Sequence, residues 1–233
     1  MSAMRAEPAR WNHNIHYQGL VLEAVPPAAT TALEVGSGDG MLSRLLRARV
    51  PAVVGVDVDA PMVALARSHP EARDITYVHA DFLVHPFEPE SFDFVASIAT
   101  LHHMDPAAAM RRMRALVRPG GTLAILGLFR RDLPRDVAWD LAASATTGAL
   151  KLSPRRRYWE TPAPKIWPPG QTLRQMRELV RQELPEATFR RLVLWRYLVT
   201  WQRPLTSVLL SDVGDAGHRH AEPGRPIVPG PPI

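Results

Sequence analysis

The stretch Leu33-Glu34-Val35-Gly36-Ser37-Gly38-Asp39-Gly40 sets three glycines within five residues, directly behind a short apolar run that begins at Thr31. A glycine-rich turn between a buried strand and a helix brings backbone N–H groups up to a ligand without side-chain obstruction. Residues 53–57, 75–80, 92–98 and 122–128 are further short runs rich in Val, Ile, Leu and Ala with few charges. Each reads as a strand buried on both faces, the signature of a parallel sheet covered by helices.

Helical patterns fill the gaps. Met41, Leu42, Leu45 and Leu46 recur at helical spacing until Pro51. Asp59 is placed to cap a helix over about 60–69 with Pro61 in its first turn, and Asp105-Pro106 repeats that start signal. Met110, Met113, Leu116 and Val117 follow on one face until Pro119-Gly120-Gly121. Strand and helix thus alternate from residue 31 to 128, which predicts right-handed crossovers and a doubly wound sheet.

Residues 129–186 are longer than a single crossover needs, so an insertion is expected there. It should hold a helix over about 134–147, an irregular lid at 151–170 rich in Pro, Arg and aromatics, and a helix over about 172–183. Thr172 and Gln175 have capping-box spacing at the start of that last helix. Residues 187–194 and 196–202, joined by a tight turn near Trp195, finish the sheet as a hairpin. The expected class is α/β: a doubly wound, mostly parallel seven-stranded sheet with helices on both faces and a C-terminal antiparallel hairpin. Residues 1–10 are expected to be a flexible N-terminus and 11–204 one domain with its lid insertion at about 129–170. In the tail, 205–233, nine of the 20 residues from Gly214 onward are Gly or Pro, so disorder is expected; His218 and His220 lie there.

A chain of 233 residues suits one elaborated α/β domain. Cysteine is absent, which excludes disulfides, thiolate metal sites and a cysteine nucleophile. Neither a secretory h-region nor a membrane-length apolar run occurs, so a cytoplasmic protein is expected. The formal charge is +5, and all 28 basic residues except Lys151 and Lys165 are arginine. That bias reads as codon usage more than as a nucleic-acid face, although Arg155-Arg156-Arg157-Tyr158-Trp159 interleaves charge with aromatics.

The glycine spacing, Gly36-x-Gly38-x-Gly40, is one residue short of the dinucleotide fingerprint. Glu34 and Asp39 set two carboxylates beside the loop, where a pyrophosphate would be repelled. A ligand with a cationic end fits better, and S-adenosylmethionine has a sulfonium, an ammonium and no phosphate. Here the sequence resembles the class I S-adenosylmethionine-dependent methyltransferases over about 11–203. "LEVGSGDG" matches that family's E/D-x-G-x-G-x-G motif, and "VVGVDVDAPMV", "VHADFL", "FDFVASIATLHHM" and "LVRPGGTLAILGL" resemble the motifs that follow, in order.

The resemblance implies that Gly36, Ser37, Gly38 and Gly40 cradle the cofactor. Asp57 would accept from both ribose hydroxyls and Asp81 from the adenine amino group, with the Phe82 backbone alongside. Val58 and Met62 would cover the adenine faces, Ala99 would border the site, and Tyr17, in a segment that folds over the cofactor, would touch its methionine end. Glu34 either anchors the loop or reaches the methionine amino group through water. Gly38 and Asp57 lie 19 residues apart, near the ~20 expected for a ribose carboxylate.

Methyl transfer needs positioning above all, and a base only where the acceptor starts protonated. His102 and His103, past the fourth strand, and His13 and His16 ahead of the first are the candidates. Adjacent His102 and His103 on a helix start would point about 100° apart, so only one should face the site. No metal is expected, since no third ligand stands near. The D/N-P-P-Y/F signature of base-amino methylases is replaced by Ser97-Ile98-Ala99-Thr100. A small-molecule acceptor, walled by Tyr158, Trp159 and Trp167, is therefore favoured over nucleic acid, with no membrane partner and the oligomeric state open. The alternatives are an RNA or protein methyltransferase using the arginine cluster, a non-catalytic S-adenosylmethionine-binding protein, and a nicotinamide oxidoreductase.

Overall fold

Chain order in the computed structural model is β1 (Ala9–Trp11), α1 (His13–Glu23), β2 (Thr31–Val35), α2 (Met41–Arg47), β3 (Ala52–Asp57), α3 (Ala60–Ser68), β4 (Ile75–His79), β5 (Phe92–Ile98), α4 (Pro106–Leu116), β6 (Val117–Leu128), α5 (Val137–Lys151), β7 (Arg156–Tyr158), α6 (Leu173–Glu183), β8 (Thr188–Leu192) and β9 (Arg196–Gln202). The structure describes residues 9–154, 156–160, 162–163 and 166–205. Arg155, most of the expected flexible N-terminus and the tail with His218 and His220 lie outside the described residues.

The cap signals act where their positions predict. The side chains of Asp59 and Asp105 accept from the N–H of Met62 and Ala108, and Thr172 and Gln175 close a reciprocal capping box on α6. The seven-stranded sheet runs β4-β3-β2-β5-β6-β9-β8, with the first five parallel and β9 antiparallel to both neighbours. Alternation along the strands splits the core in two. Leu33, Val35, Val56 and Val95 face Met110, Met113, Met176 and Val180 of α4 and α6. Ala32, Val53, Phe94 and Leu126 face Val21, Leu22, Leu42, Leu46 and Val63 of α1, α2 and α3. Strand order reverses between β2 and β5, and a sheet of this kind takes its ligands at the carboxyl ends of the strands beside such a reversal.

Three local expectations are corrected. The fifth long strand starts at Val117 instead of 122, because α4 ends at Leu116 and the Pro-Gly-Gly segment is carried inside β6, with Gly120 at φ +79° and a register shift opposite Phe92. The insertion's first helix spans Val137–Lys151, a few residues later than expected. The intervening chain is spent in a turn, in which the Asp132 N–H donates to the Asp136 carboxylate at 2.7 Å. Within the lid expected to be irregular, Arg156–Tyr158 pairs in parallel with Ala9–Trp11. Among the described residues no helix is long and apolar enough to cross a membrane.

Candidate active site

All three loop glycines have positive φ, at +76°, +51° and +74°, the left-handed region that favours glycine. Two of them also make room for neighbours: a Cβ on Gly36 would lie 2.0 Å from Thr100 Oγ1, and one on Gly40 2.2 Å from the Tyr77 hydroxyl. Gly38 differs. Nothing lies within 4 Å of the Cβ it lacks, so the loop is open at that point, and it borders the main cavity.

Asp57, at the end of β3, accepts from the Gly38 N–H through Oδ2 at 2.7 Å and from the Asp59 N–H through Oδ1 at 2.9 Å. Each oxygen keeps further acceptor capacity, as a carboxylate has about four lone-pair sites. One side chain therefore fixes both the glycine loop and the start of α3, and it borders the cavity together with Val58 and Met62. Asp81, past β4, holds the Leu83 N–H at 2.8 Å, and the buried Phe82 ring lies under the Arg112 guanidinium. Across the reversal, Ala99 takes φ +54° and donates its N–H to the Leu126 carbonyl at 2.7 Å. A non-glycine residue in that region stores strain of order 1 kcal/mol, a feature that clusters at ligand sites.

Glu34 is 3% exposed and accepts from the Ser43 hydroxyl. Burial pushes its pKa up to about 8; the Ser43 hydrogen bonds oppose this, and Asp39 and Asp57 add to it. It is therefore mostly protonated at neutral pH. The repulsion expected from Glu34 at the loop is corrected, since burial keeps its carboxyl largely protonated.

His102 and His103 both border the cavity, against the expectation that only one would. They sit on a single 3₁₀ turn, Leu101–His103, ahead of the extended Met104 instead of on an α-helix start, and their rings lie 4.2 Å apart. His102 Nδ1 is buried with no hydrogen-bond partner among the described residues. Burial, then the charges of His103 and Arg196, lower the His102 pKa to about 4. His13 borders the cavity between Trp11 and Trp195, with Nε2 3.3 Å from the Thr147 hydroxyl. Burial, then Arg196, Lys151 and His16, lower it to about 4 as well. His16 and Tyr17 do not border the cavity. The Tyr17 hydroxyl accepts from the Leu194 N–H at 3.3 Å and its ring stands edge-on to His16, so the helical turn sends it toward the hairpin. From that segment Asn12, His13, Asn14, Ile15 and Gln18 reach the cavity instead.

The cavity measures about 1040 Å³, at the top of the ~300–1,000 Å³ range of single-ligand pockets. Its roof joins distant segments: the Trp159 N–H donates to the Trp11 carbonyl at 2.8 Å, and Tyr158, Trp159, Ile166 and Trp167 form the wall. Trp195 is fixed by an indole N–H donated to Asp140 at 2.7 Å. Sequence reasoning missed Asn14, Trp195 and Arg196. Only the turn at Trp195 was signalled, and it places that residue at φ +52°. Among the described residues no three His, Asp or Glu side chains cluster as a metal site.

Residues 33–125 match a family described as "Methyltransferase domain". An uncharacterized methyltransferase of Mycobacterium tuberculosis is 40% identical over 196 residues, 84% of this chain and 98% of its own length. A demethylmenaquinone methyltransferase of Roseiflexus castenholzii is 32% identical over 164 residues, 66% of this chain and 69% of its own. Among solved structures, the N-methyltransferase NodS of Bradyrhizobium japonicum in complex with S-adenosylhomocysteine superposes with a TM-score of 0.54 at 14% identity, covering 82% of this chain and 87% of NodS.

Proposed function

The chain belongs to the class I S-adenosylmethionine-dependent methyltransferases, and on that premise we propose that it methylates a small, apolar or aromatic acceptor inside the cavity roofed by the 129–170 insertion, with residues 11–204 as the catalytic unit. The observation that carries this reading is the Gly38–Asp57 contact, which sets a carboxylate with spare acceptor capacity beside an unobstructed loop at the sheet's reversal. A ribose diol fits such a carboxylate, and the Cβ-free face of Gly38 fits close approach of a ligand.

In this reading Gly36, Ser37, Gly38 and Gly40 hold the methionine end and Asp57 the ribose. Val58, Met62, Asp81 and Phe82 hold the adenine, and Ala99 borders the transferred group. Once bound, S-adenosylmethionine would supply an electrophilic methyl carbon on a cationic sulfonium whose departure leaves a neutral thioether. The chain's own task is to aim the acceptor and keep water out, which the aromatic roof serves. His13 and His102, neutral at pH 7, offer ring nitrogens to an acceptor hydroxyl, but bases with pKa values near 4 take a proton poorly. The design therefore favours an acceptor that arrives deprotonated. A relative named for demethylmenaquinone supports an aromatic acceptor.

Calorimetric titration of S-adenosylmethionine and, separately, NADH into the purified protein tests this reading. Binding of the former, weakened roughly 30-fold in Asp57→Ala, is expected; no binding, or a preference for NADH, overturns it.

A further inference from the structure

Arg196 opens β9 opposite Leu128, so it stands at the carboxyl end of β6. That is the far side of the reversal from Asp57 and Asp81, which follow β3 and β4. It is 8% exposed and borders the cavity. Three of its five N–H donors are spent on neutral acceptors: Nε on Asn14 Oδ1 at 2.8 Å, and Nη1 on the carbonyls of Leu194 and Trp195 at 3.2 and 3.3 Å. No carboxylate among the described residues pairs with it, and its Nη2 finds no protein partner there. The half-buried arginine of the hairpin, Arg191, by contrast meets Asp136 at 2.8 Å.

A buried cation without a counter-charge costs several kcal/mol, and packing alone would be served by a neutral side chain. Burial already draws the Arg196 pKa down to about 10, with Tyr17 and Tyr158 opposing. Its field contributes to keeping His13 and His102 neutral. The guanidinium thus borders a cavity also lined by Trp195, Tyr158, Trp159 and Glu160, without a carboxylate bonded to it among the described residues.

We propose that Arg196 anchors a carboxylate of the methyl acceptor, so that the acceptor class is an apolar or aromatic carboxylic acid held head-down at β9 with its body under the roof. The proposal deepens the methyltransferase reading and rests on it. A monoanion matches one guanidinium among neutral neighbours; a phosphate, at about −1.5 to −2, would bury excess charge. The same chemistry is offered by the methionine carboxylate of the cofactor, and the test separates the two sources.

The protein is first titrated with S-adenosylhomocysteine, then, when saturated, with octanoate and octanamide and with indole-3-acetate and indole-3-acetamide. The acids should bind at least about tenfold more tightly than their amides. That preference should vanish in Arg196→Gln, persist in Arg196→Lys, and also vanish in Asn14→Asp, which sets a carboxylate beside Nε while keeping the guanidinium. Equal binding of acid and amide, binding of neither, or an unchanged preference in Arg196→Gln and Asn14→Asp overturns the proposal. S-adenosylhomocysteine affinity within about threefold of wild type in Arg196→Gln supports the acceptor as the source; a loss of about tenfold assigns Arg196 to the cofactor and overturns it. Failure of the wild type to bind S-adenosylhomocysteine is read before any acid is added, and it removes the methyltransferase reading and this proposal together.

Discussion

At the amino end of the sheet Asp93 is saturated: Oδ2 accepts from the N–H groups and hydroxyls of Thr30 and Thr31, and Oδ1 accepts from Arg118 at 3.1 Å. Burial would raise its pKa, yet those hydrogen bonds outweigh burial and hold it well below the usual carboxylate range. At the carboxyl end of the same sheet the balance is reversed. Glu34 is pushed up to about 8, His13 and His102 down to about 4, and Arg196 has no carboxylate partner among the described residues. The first pattern stabilises the fold. The second leaves polar groups short of partners in a cavity, which is where ligands supply what the protein withholds.

The contrast breaks or sharpens in four measurements. Asp93→Ala orphans two backbone N–H groups and Arg118, and should cost about 3 kcal/mol of stability, a melting shift of about 6–12 °C, with cofactor affinity unmoved. A loss under about 1 kcal/mol would mean the amino end is no anchor. Asp57→Ala should do the opposite, weakening S-adenosylmethionine binding by about 2 kcal/mol, roughly 30-fold, at modest cost in stability. Unchanged affinity would remove Asp57 from the site.

The pH profile separates the ends further. Glu34 has a folded pKa above the unfolded ~4.3, so its stabilisation is full below that value and lost as the pH rises toward 8. In Glu34→Gln, melting curves from pH 5 to 8 should flatten, by about 1 kcal/mol or more; an unaltered slope would mean that Glu34 is ionised throughout. His102 has a folded value below the unfolded ~6.5, so its contribution is full above pH 6.5 and lost as the pH falls toward 4. His102→Gln should soften that acid loss by under about 1 kcal/mol, and an identical acid limb would place the imidazole in water. Asp93 adds a separate loss at still lower pH, since its folded value lies below the unfolded ~3.9.

The glycine loop, Asp57 and the strand rhythm were legible because each is written locally: a turn chemistry, a carboxylate at a fixed remove, a run of branched residues. That the strands are buried on both faces followed from their near-continuous apolar runs. Arg196 was not legible, since its place beside the cavity depends on where residues 14, 128 and 196 meet, and no local pattern encodes that meeting. Tyr17 was misread for a related reason, because helical phase alone does not say which side of α1 the hairpin occupies. His102 and His103 came together because a 3₁₀ turn replaced the α-helical geometry assumed for them.

The pairing of β1 with β7 also has a temporal side. The Asn12 side chain reaches the Trp159 carbonyl across 147 residues of sequence, further than any pairing in the seven-stranded sheet, where Ala32 meets Phe94 and Thr122 meets Gln202. Contacts of such long range form late in folding, and domains emerge from the ribosome amino end first. The nucleotide half should therefore be assembled while β1 still waits for its partner strand. Because each doubling of loop length adds only ~0.6 kcal/mol of closure entropy, the long separation delays the roof more than it weakens it.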